Sequence, residues 1–185
     1  MNMEIIADED LIAKVGQGDK AAFAELIRRH QDKILSLSYR FAGSWDSAED
    51  IRQETFLRVW KASRHYKPKA KFTTWLYSIA INQCIDSHRK SNRRIIPLEN
   101  VAANLEAESD CDCIEKKEIV EIIQKAILEL GKRQRMALIL HRYHGLSHIE
   151  IAKATGWSKS AVESLLVRAY ANLRVKLCKI KDFNK

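Results

Sequence analysis

The sequence predicts an all-α chain in which a flexible acidic linker joins two small helical domains. Apolar residues recur three and four positions apart along most of the 185 residues, and no long stretch alternates with the period of a strand. Six glycines and two prolines leave few turn signals, which favours helices. Between residues 96 and 117 the apolar pattern is lost and acidic residues dominate, so this stretch cannot bury enough apolar surface to become ordered. We expect domains at 1–95 and 118–185 and the linker at 96–117.

Three helices are predicted in the N-terminal domain. The first has an apolar face from Phe23 to Phe41 and ends at the turn Gly43-Ser44. The second runs from about Asp46 to Lys61, and a loop at 65–72 follows it. The third covers residues 75–90. The predicted inward positions of the second helix are Ala48, Ile51, Thr55 and Val59. Those of the third helix are Tyr77, Ala80, Ile81, Cys84 and Ile85.

The C-terminal domain contains a predicted helix-turn-helix. Helical periodicity returns at Ile119 and continues to residue 145. Ser147 and Glu150 then have the spacing of a capping box, which predicts the start of a short helix that ends at Gly156. Ser158 can cap a second helix, whose inward positions are Val162, Leu165, Leu166, Ala169 and Leu173.

Charge and hydropathy limit the possible partners and location. The net charge of +8 favours a polyanionic partner, either a nucleic acid or an anionic membrane surface. No apolar run approaches the roughly 20 residues that span a bilayer, and the N-terminus lacks the basic start and apolar core of a secretory signal. We therefore expect a cytoplasmic protein whose four cysteines are free thiols.

The second helix of the helix-turn-helix is a candidate for reading duplex DNA. In DNA-binding versions of the motif this helix enters the major groove, with its N-terminal residues facing the base edges. The residues placed to do so are Ser158, Lys159, Ser160, Glu163, Ser164 and, for phosphate, Arg168. Glu163 could accept a hydrogen bond from a cytosine amino group. The alternative is a plain helical hairpin that packs on the preceding helices, but the capped pair, the turn glycine and the basic tail favour DNA binding.

A second DNA-binding candidate lies between Lys61 and Arg94, where nine basic residues accompany a single acidic one. Basic groups follow the phosphate backbone, and aromatic faces interspersed among them can stack on unpaired bases. The candidates are Lys67, Lys69, Lys71, Phe72, Trp75, Asn82 and Arg89. As an alternative to nucleic-acid binding, the lysines could belong to a solvated loop and the aromatic rings could pack in the core. Core packing is the favoured interpretation for Tyr77.

The helix that begins near Asp46 has an acidic outer face in this basic chain. Its members are Asp46, Glu49, Asp50, Gln53, Glu54 and Leu57. Such a face would repel DNA and suits a protein surface that is basic and partly apolar, since complementary charge steers the encounter and fixes the register. A solvated helix face is the alternative.

Neither a catalytic site nor a bound metal or other cofactor is expected. The sequence lacks a phosphate-binding glycine loop, a nucleophile elbow and an evident carboxylate pair. The pair Cys84 and His88 and the set His141, His144 and His148 have helical spacings that suit metal ligands, yet such residues are more often structural. Acidic neighbours disfavour the thiolate at Cys111 and Cys113, which argues against a redox sensor there.

Three segments together resemble the bacterial sigma factors of RNA polymerase. The segment DSAEDIRQETFLRVW (46–60) resembles their core-polymerase-binding helix, and KFTTWLYSIAINQCID (71–86) resembles their promoter-melting and minus-ten-reading region. The segment GLSHIEIAKATGWSKSAVESLLVRAYANLR (145–174) resembles their minus-thirty-five-reading helix-turn-helix. The short length is similar to that of the extracytoplasmic-function (ECF) group of the sigma-70 family.

The resemblance implies a non-enzymatic promoter-specificity subunit with no small-molecule substrate. It would bind core RNA polymerase at the β′ clamp helices, through the acidic face, and at the β flap. The 65–72 loop and Asn82 would capture a flipped-out base of the minus-ten element, the helix from Ser158 would read the minus-thirty-five element, and the linker would thread toward the RNA exit path. Glu163 and Leu165 stand where many relatives carry a lysine and an arginine, so the upstream sequence preference would differ.

The resemblance also implies control by an anti-sigma factor, often membrane-bound, in a stress or envelope response. The chain would then be associated with the nucleoid when active and held at the inner membrane when inhibited. The competing hypothesis is a stand-alone helix-turn-helix regulator that binds duplex DNA without polymerase, usually as a dimer. The acidic face and the basic aromatic loop disfavour it, because a plain repressor needs neither.

Overall fold

The computed structural model describes residues 6–67, 71–91 and 113–183, and the side chains of 6–67, 71–87 and 119–178. Eight α-helices and one short 3₁₀ turn, and no strand, make up the regular structure of these ranges. In chain order they are α1 (Asp8–Gly16), α2 (Lys20–Ala42), α3 (Trp45–Ala62), the 3₁₀ turn (Ser63–His65), α4 (Phe72–Ser91), α5 (Cys113–Leu128), α6 (Lys132–Arg142), α7 (His148–Thr155) and α8 (Lys159–Phe183).

The N-terminal half is a bundle of α1–α4 built around α2. Asp19 caps α2 by accepting hydrogen bonds from the Ala21 and Ala22 amides at 2.8 and 3.0 Å. Its apolar face is buried against the neighbouring helices, with Leu26, Ile34, Leu37 and Phe41 almost inaccessible to solvent. The α3 residues Ala48, Ile51, Thr55 and Val59 are buried as the periodicity predicts.

Helix α1 was not predicted; it buries Leu11, Ile12 and Val15 in the core of this bundle and also makes polar contacts with it. Asp8 pairs with Arg29 at 2.9 Å and with His30 at 2.7 Å, both on α2. Glu9 accepts a hydrogen bond from the Phe72 amide at 2.8 Å and so caps the start of α4. The first helix therefore fixes the position at which α4 begins.

The C-terminal half contains the helix-turn-helix that the sequence predicts. Ser147 and Glu150 form both hydrogen bonds of the capping box at the start of α7, and Gly156 ends α7 in the left-handed conformation at φ 73°. The Ser158 hydroxyl accepts a hydrogen bond from the Ala161 amide at 3.2 Å and caps α8. Ile151, Val162, Leu166 and Ala169 are buried between α6, α7 and α8.

The two halves pack on each other. Helices α5 and α6 contact α2, and α7 contacts α4. Arg135 of α6, only 7% exposed, donates a hydrogen bond to the Phe41 carbonyl at 2.7 Å and others to the carbonyls of Leu128 and Leu130. One guanidinium therefore serves the C-terminal ends of both α2 and α5, where helix carbonyls lack intrahelical partners.

The predicted boundary between the linker and the C-terminal domain lies within α5. Helix α5 begins at Cys113, inside the stretch that was predicted as linker. Residues 113–118 contain two lysines and two glutamates, which favour a helix intrinsically even without a continuous apolar face. Ile119, predicted to be inward, is 55% exposed. The remainder of the predicted linker, 96–112, lies outside the described residues. No helix within the described ranges has the length and apolar character needed to cross a membrane.

The close approach of α5 to the turn after α2 can be tested at Gly43. A Cβ at this position would lie 2.6 Å from a Leu128 methyl group, whereas at Gly18 it would meet nothing within 4 Å. Both glycines have positive φ, so alanine at either site carries left-handed strain of about 1–2 kcal/mol. We expect Gly43→Ala to lower the free energy of unfolding by about 1 kcal/mol more than Gly18→Ala in urea titrations.

The additional loss should depend on Leu128. In a double-mutant cycle with Leu128→Ala, the Gly43→Ala substitution is expected to lose less stability than it does alone. Equal losses for Gly43→Ala and Gly18→Ala would contradict the packing of α5 on this turn.

Candidate functional site

The predicted acidic face lies on the outer surface of α3. Asp46, Asp50 and Gln53 are exposed, and Glu49 and Glu54 are partly exposed. Leu57 is 45% exposed and provides an apolar spot at the end of this face. All six predicted residues are therefore accessible to a partner on one side of one helix, opposite the buried Ala48, Ile51, Thr55 and Val59.

Two of these carboxylates already hold arginines of the same helix. Glu49 forms an ion pair with Arg52, whose hydrogen bonds hold the pKa of the Glu49 carboxyl below its usual value. Glu54 pairs with Arg58 at 2.9 Å. Among the described residues Asp46 and Asp50 have no ion pair, so the unpaired negative charge is concentrated in the first half of α3.

Arg58 connects the acidic face to a groove between α3 and α4. Its guanidinium binds Glu54 and, in the amide orientation that satisfies both side chains, the carbonyl oxygen of Gln83 at 2.6 and 2.9 Å. The groove has a volume of about 400 Å³ and is lined by Arg58, Lys61, Ala62, Trp75, Ile79, Asn82 and Gln83. A flat aromatic wall, two cations and an exposed amide thus converge at one concave surface.

An aromatic cluster supports one wall of this groove. Trp75 packs on Tyr66 with ring centroids 4.9 Å apart and on Phe72 at 5.9 Å. Trp75 is partly exposed, so its outer face remains accessible. Tyr77, by contrast, is buried, as the core alternative predicted.

The structure corrects the predicted role of Phe72. Its ring is fully buried, at 0% exposure, and lies 5.4 Å from the His30 ring as well as against Tyr66 and Trp75. It begins α4, and the amphipathic pattern of that helix turns this position toward α2. Phe72 cannot stack on a base in this arrangement and instead positions Trp75.

The other predicted basic residues are only partly described. Lys67 and Lys71 are exposed at the two ends of the loop before α4, and Asn82 is exposed on α4. Lys69 lies outside the described residues, as does the side chain of Arg89.

The helix-turn-helix presents its predicted residues on one exposed surface. Ser158, Lys159, Ser160, Glu163, Ser164 and Arg168 are all exposed, while Val162, Leu166 and Ala169 face inward. Glu163 lies 3.6 Å from Lys159 and 3.6 Å from the His148 imidazole of α7. These two neighbours hold the carboxylate near the N-terminal end of α8, where direct contacts with bases are made in this motif.

The histidines and cysteines are not arranged as a metal centre in the part of the chain that is described, which contains no cluster of three or more suitable ligands. The His141 and His148 rings lie 5.2 Å apart with their planes tilted by 55°, but His144 instead faces Tyr77. Cys84 is fully buried, and burial raises the pKa of its thiol to about 12. The side chains of His88, Cys111 and Cys113 are outside the described set.

Sequence reasoning missed three residues that organise these surfaces. Arg58 and Tyr66 shape the groove, and Arg135 joins the halves. The basic run near Tyr66 and the spacing of Glu54 and Arg58 could have indicated the first two. Nothing local in the sequence indicates that Arg135 is buried.

Family models match the two halves separately. The Sigma-70 region 2 model matches residues 26–94, and the Sigma-70 region 4 model matches residues 120–173. The RNA polymerase sigma-H factor of Pseudomonas aeruginosa is 32% identical over 173 residues, which cover 88% of this chain and 89% of that protein. The ECF RNA polymerase sigma factor SigW of Bacillus subtilis is 32% identical over 176 residues, covering 90% and 94% respectively.

Solved structures have the same fold. CnrH in complex with the cytosolic domain of CnrY superposes with a TM-score of 0.72 at 25% identity, over 94% of this chain and 99% of that one. The sigma factor RpoE of Bartonella quintana, solved with the anti-sigma factor NepR, superposes with a TM-score of 0.70 at 22% identity, over 84% of this chain and 96% of that one. At this identity the similarity shows a common fold.

A Sigma-70 region 2 followed by a Sigma-70 region 4 defines the class of protein, a factor of the sigma-70 type. The chain belongs to the extracytoplasmic-function group of the sigma-70 family.

The structural role of Phe72 can be separated from DNA binding. Phe72→Ala removes a fully buried ring and is expected to lower the free energy of unfolding by about 3–5 kcal/mol. Lys67→Ala, at an exposed position in the same loop, should change it by no more than about 0.5 kcal/mol. Urea unfolding of both variants measures this difference. A Phe72→Ala variant as stable as wild type would show that the ring does not support the core.

Proposed function

We propose that this chain is an alternative sigma factor that binds its partners through three separate surfaces. The acidic face of α3 docks on the β′ clamp helices of core RNA polymerase, the groove between α3 and α4 takes a base of the melted minus-ten element, and α8 reads the minus-thirty-five element. The observation that carries the proposal is the exposure of an acidic protein-docking face beside two basic surfaces on the same chain. An acidic face on a chain of net charge +8 has no use in binding DNA directly.

The groove has the chemistry needed to hold an unpaired base. Trp75 offers a ring face for stacking, Asn82 offers an amide for a base edge, and Lys61 lies where it can bind a flanking phosphate. Flipping a base out of the stack takes least free energy where the strands already separate, which is the condition in the minus-ten element during melting.

The upstream surface has the geometry of direct readout in the major groove. Its capped, exposed N-terminal turn presents Lys159, Ser160 and Glu163, and Arg168 follows for phosphate. A carboxylate in this position favours cytosine, because the cytosine amino group has no acceptor beside it on the same base in the major groove, whereas the adenine amino group lies next to N7. We also expect the C-terminal half to contact the β flap of the polymerase.

We further infer that the chain has no catalysis of its own, acts in the cytoplasm where the polymerase is, and is held inactive by an anti-sigma factor. The structure of CnrH, which is 25% identical over 94% of this chain, contains the cytosolic domain of a second protein, CnrY, and this supports a protein partner for the chain. A membrane-bound anti-sigma partner would place the inhibited factor at the inner membrane, in a stress or envelope response. The stand-alone regulator is disfavoured by the acidic face.

Run-off transcription with purified core polymerase on a pool of genomic promoters tests the proposed function. We expect discrete new transcripts when the chain is added, and at least a tenfold loss with Asp50→Lys or Glu54→Lys. The loss follows because a like charge placed against a basic partner surface costs several kcal/mol. Asp10→Lys, at an exposed carboxylate of α1 outside the acidic face, is the matched control and should retain activity.

Two results would contradict the proposal. Transcription that survives both substitutions on α3 would exclude docking through this face. An absence of transcripts, together with tight binding of duplex DNA without polymerase, would establish the stand-alone regulator instead.

Glu163 and Lys159 should differ in what they contribute to DNA binding. Glu163→Ala is expected to relax the preference for cytosine at one position by about 1–3 kcal/mol. Lys159→Ala should weaken binding by a similar factor on all sequences and reduce its salt dependence. Binding of promoter variants to the polymerase holoenzyme, measured at two salt concentrations, distinguishes them. An unchanged base preference in Glu163→Ala would remove this residue from the readout.

A further inference from the structure

The first turn of α4 begins at a residue that cannot cap it. Lys71 stands at the N-cap position, where its carbonyl accepts hydrogen bonds from the amides of Thr74 and Trp75 at 3.0 and 3.3 Å. Serine, threonine, aspartate and asparagine are preferred there because their side chains accept hydrogen bonds from the free amides of the first turn. A lysine side chain offers no acceptor. The Phe72 amide, at the first helical position, is one of the amides that helix geometry leaves without an intrahelical partner.

Glu9 of α1 supplies the missing acceptor. Its carboxylate accepts the hydrogen bond of the Phe72 amide at 2.8 Å, across 63 positions of the sequence. A negative charge is also favourable at this end of a helix, where the partial charge of the backbone is positive. Burial and then the charge of Glu9 raise the pKa of the Tyr66 phenol, so the same carboxylate lies close to Tyr66. One side chain thus meets the residues on both sides of the loop before α4.

Helix α1 is a rigid support for this contact. Leu11, Ile12 and Val15 are buried in the core, which fixes the helix against the bundle. At its far end the helix approaches the 3₁₀ turn so closely that a Cβ on Gly16 would lie 3.1 Å from the Ser63 carbonyl oxygen. The segment that enters the loop and the residue that leaves it are therefore both held by α1. A site that must be positioned precisely requires support of this kind.

The cap at Phe72 is connected to the aromatic wall of the groove between α3 and α4. Trp75 belongs to the same first turn, and its ring packs on those of Phe72 and Tyr66 at 5.9 and 4.9 Å. The other side of the groove presents Asn82. Because an uncapped first turn frays, loss of the Glu9 contact would release the Trp75 backbone and change the angle of its ring. The distance between the stacking face and the amide of Asn82 would then no longer be fixed.

We propose that Glu9 is a positioning residue for the minus-ten element: by capping α4 from α1, it holds Trp75 at the orientation in which an unpaired base meets both the ring and Asn82. It acts through Phe72 and Trp75 rather than by contact with the base. The role in base selection rests on the proposed function of the groove, whereas the cap is a property of the chain alone.

Amide hydrogen exchange of the full chain, followed by nuclear magnetic resonance, tests the cap. Glu9→Ala is expected to speed the exchange of the Phe72 amide by roughly five- to tenfold, the factor that corresponds to a lost helix cap. Glu9→Gln keeps an oxygen that can accept this hydrogen bond and should exchange as wild type. Asp10→Ala removes the same charge from an exposed position of α1 and should also leave the rate unchanged. An unaltered rate in Glu9→Ala would overturn the cap.

Run-off transcription with core polymerase tests the positioning role. The templates are a promoter that the wild type uses and its variants with each minus-ten base replaced in turn. Glu9→Ala is expected to lower the ratio of transcripts from the preferred and replaced base by about fivefold at one position, because part of the stacking contact is lost. Glu9→Gln should keep the wild-type ratio. A loss of folded protein lowers the transcripts from all templates alike and does not change this ratio.

Asp19→Ala is the matched control for stability. It removes a cap of the same chemistry from α2, where the Asp19 carboxylate accepts hydrogen bonds from the Ala21 and Ala22 amides at 2.8 and 3.0 Å. In urea titrations it should lower the free energy of unfolding about as much as Glu9→Ala does. Its minus-ten ratios should nevertheless equal those of wild type. Equal losses of selectivity in Asp19→Ala and Glu9→Ala would reduce Glu9 to a stabilising contact and overturn the positioning role.

The outcomes separate this role from the proposed function. Discrete transcripts whose minus-ten ratios are unaltered by Glu9→Ala, or are lowered as much by Glu9→Gln, overturn the positioning role and leave the sigma-factor function in place. An absence of transcripts from the wild type overturns the proposed function and with it the role of Glu9 in base selection. The exchange rate of the Phe72 amide still decides in that case whether Glu9 caps α4.

Discussion

The buried guanidinium of Arg135 is the interaction on which the arrangement of the two halves depends. No carboxylate of the described residues pairs with it; its hydrogen-bond partners are carbonyl groups at the ends of α2 and α5. Burial lowers the pKa of this group, yet an arginine remains charged, so its positive charge must be met by partial negative charge from the backbone. Two converging helix ends provide that charge. The direction of α6, and with it the position of α7 and α8, follows from this requirement.

Acidic and basic side chains are segregated on different surfaces of the structure. The acidic face on α3 is separated from the exposed lysines at the start of α4 and from those of α8 by the buried sides of the helices. The apolar core keeps these surfaces apart at fixed orientations, so that partners of opposite charge could approach the two surfaces without mutual repulsion. The core of α2, α3 and α4 therefore fixes the orientation of both charged surfaces.

Local patterns in the sequence predicted most of the fold and the exposed surfaces. The capping box at Ser147 and Glu150, the turn at Gly43 and the inward faces of α3 and α8 are confirmed, because each depends on residues within a few positions of one another. Helix α1 escaped prediction because it is short and has only three core residues, Leu11, Ile12 and Val15, and because its polar contacts join Asp8 and Glu9 to residues far along the chain. Phe72 was misassigned for a related reason: its aromatic and basic neighbours suggested nucleic acid, while its burial is decided by tertiary packing.

The internal ion pairs of α3 have a consequence for selectivity. A partner that approaches Glu49 or Glu54 does not meet a free carboxylate, because Arg52 and Arg58 already occupy them. A cation of the partner must replace the arginine or share the carboxylate with it. The free energy gained on binding is therefore the difference between the new ion pair and the internal one. An exchange of this kind discriminates against stray cations and polyamines, which offer a charge but no surrounding shape. Binding is favourable only for a surface that places cations opposite these carboxylates and an apolar group opposite Leu57 at the same time.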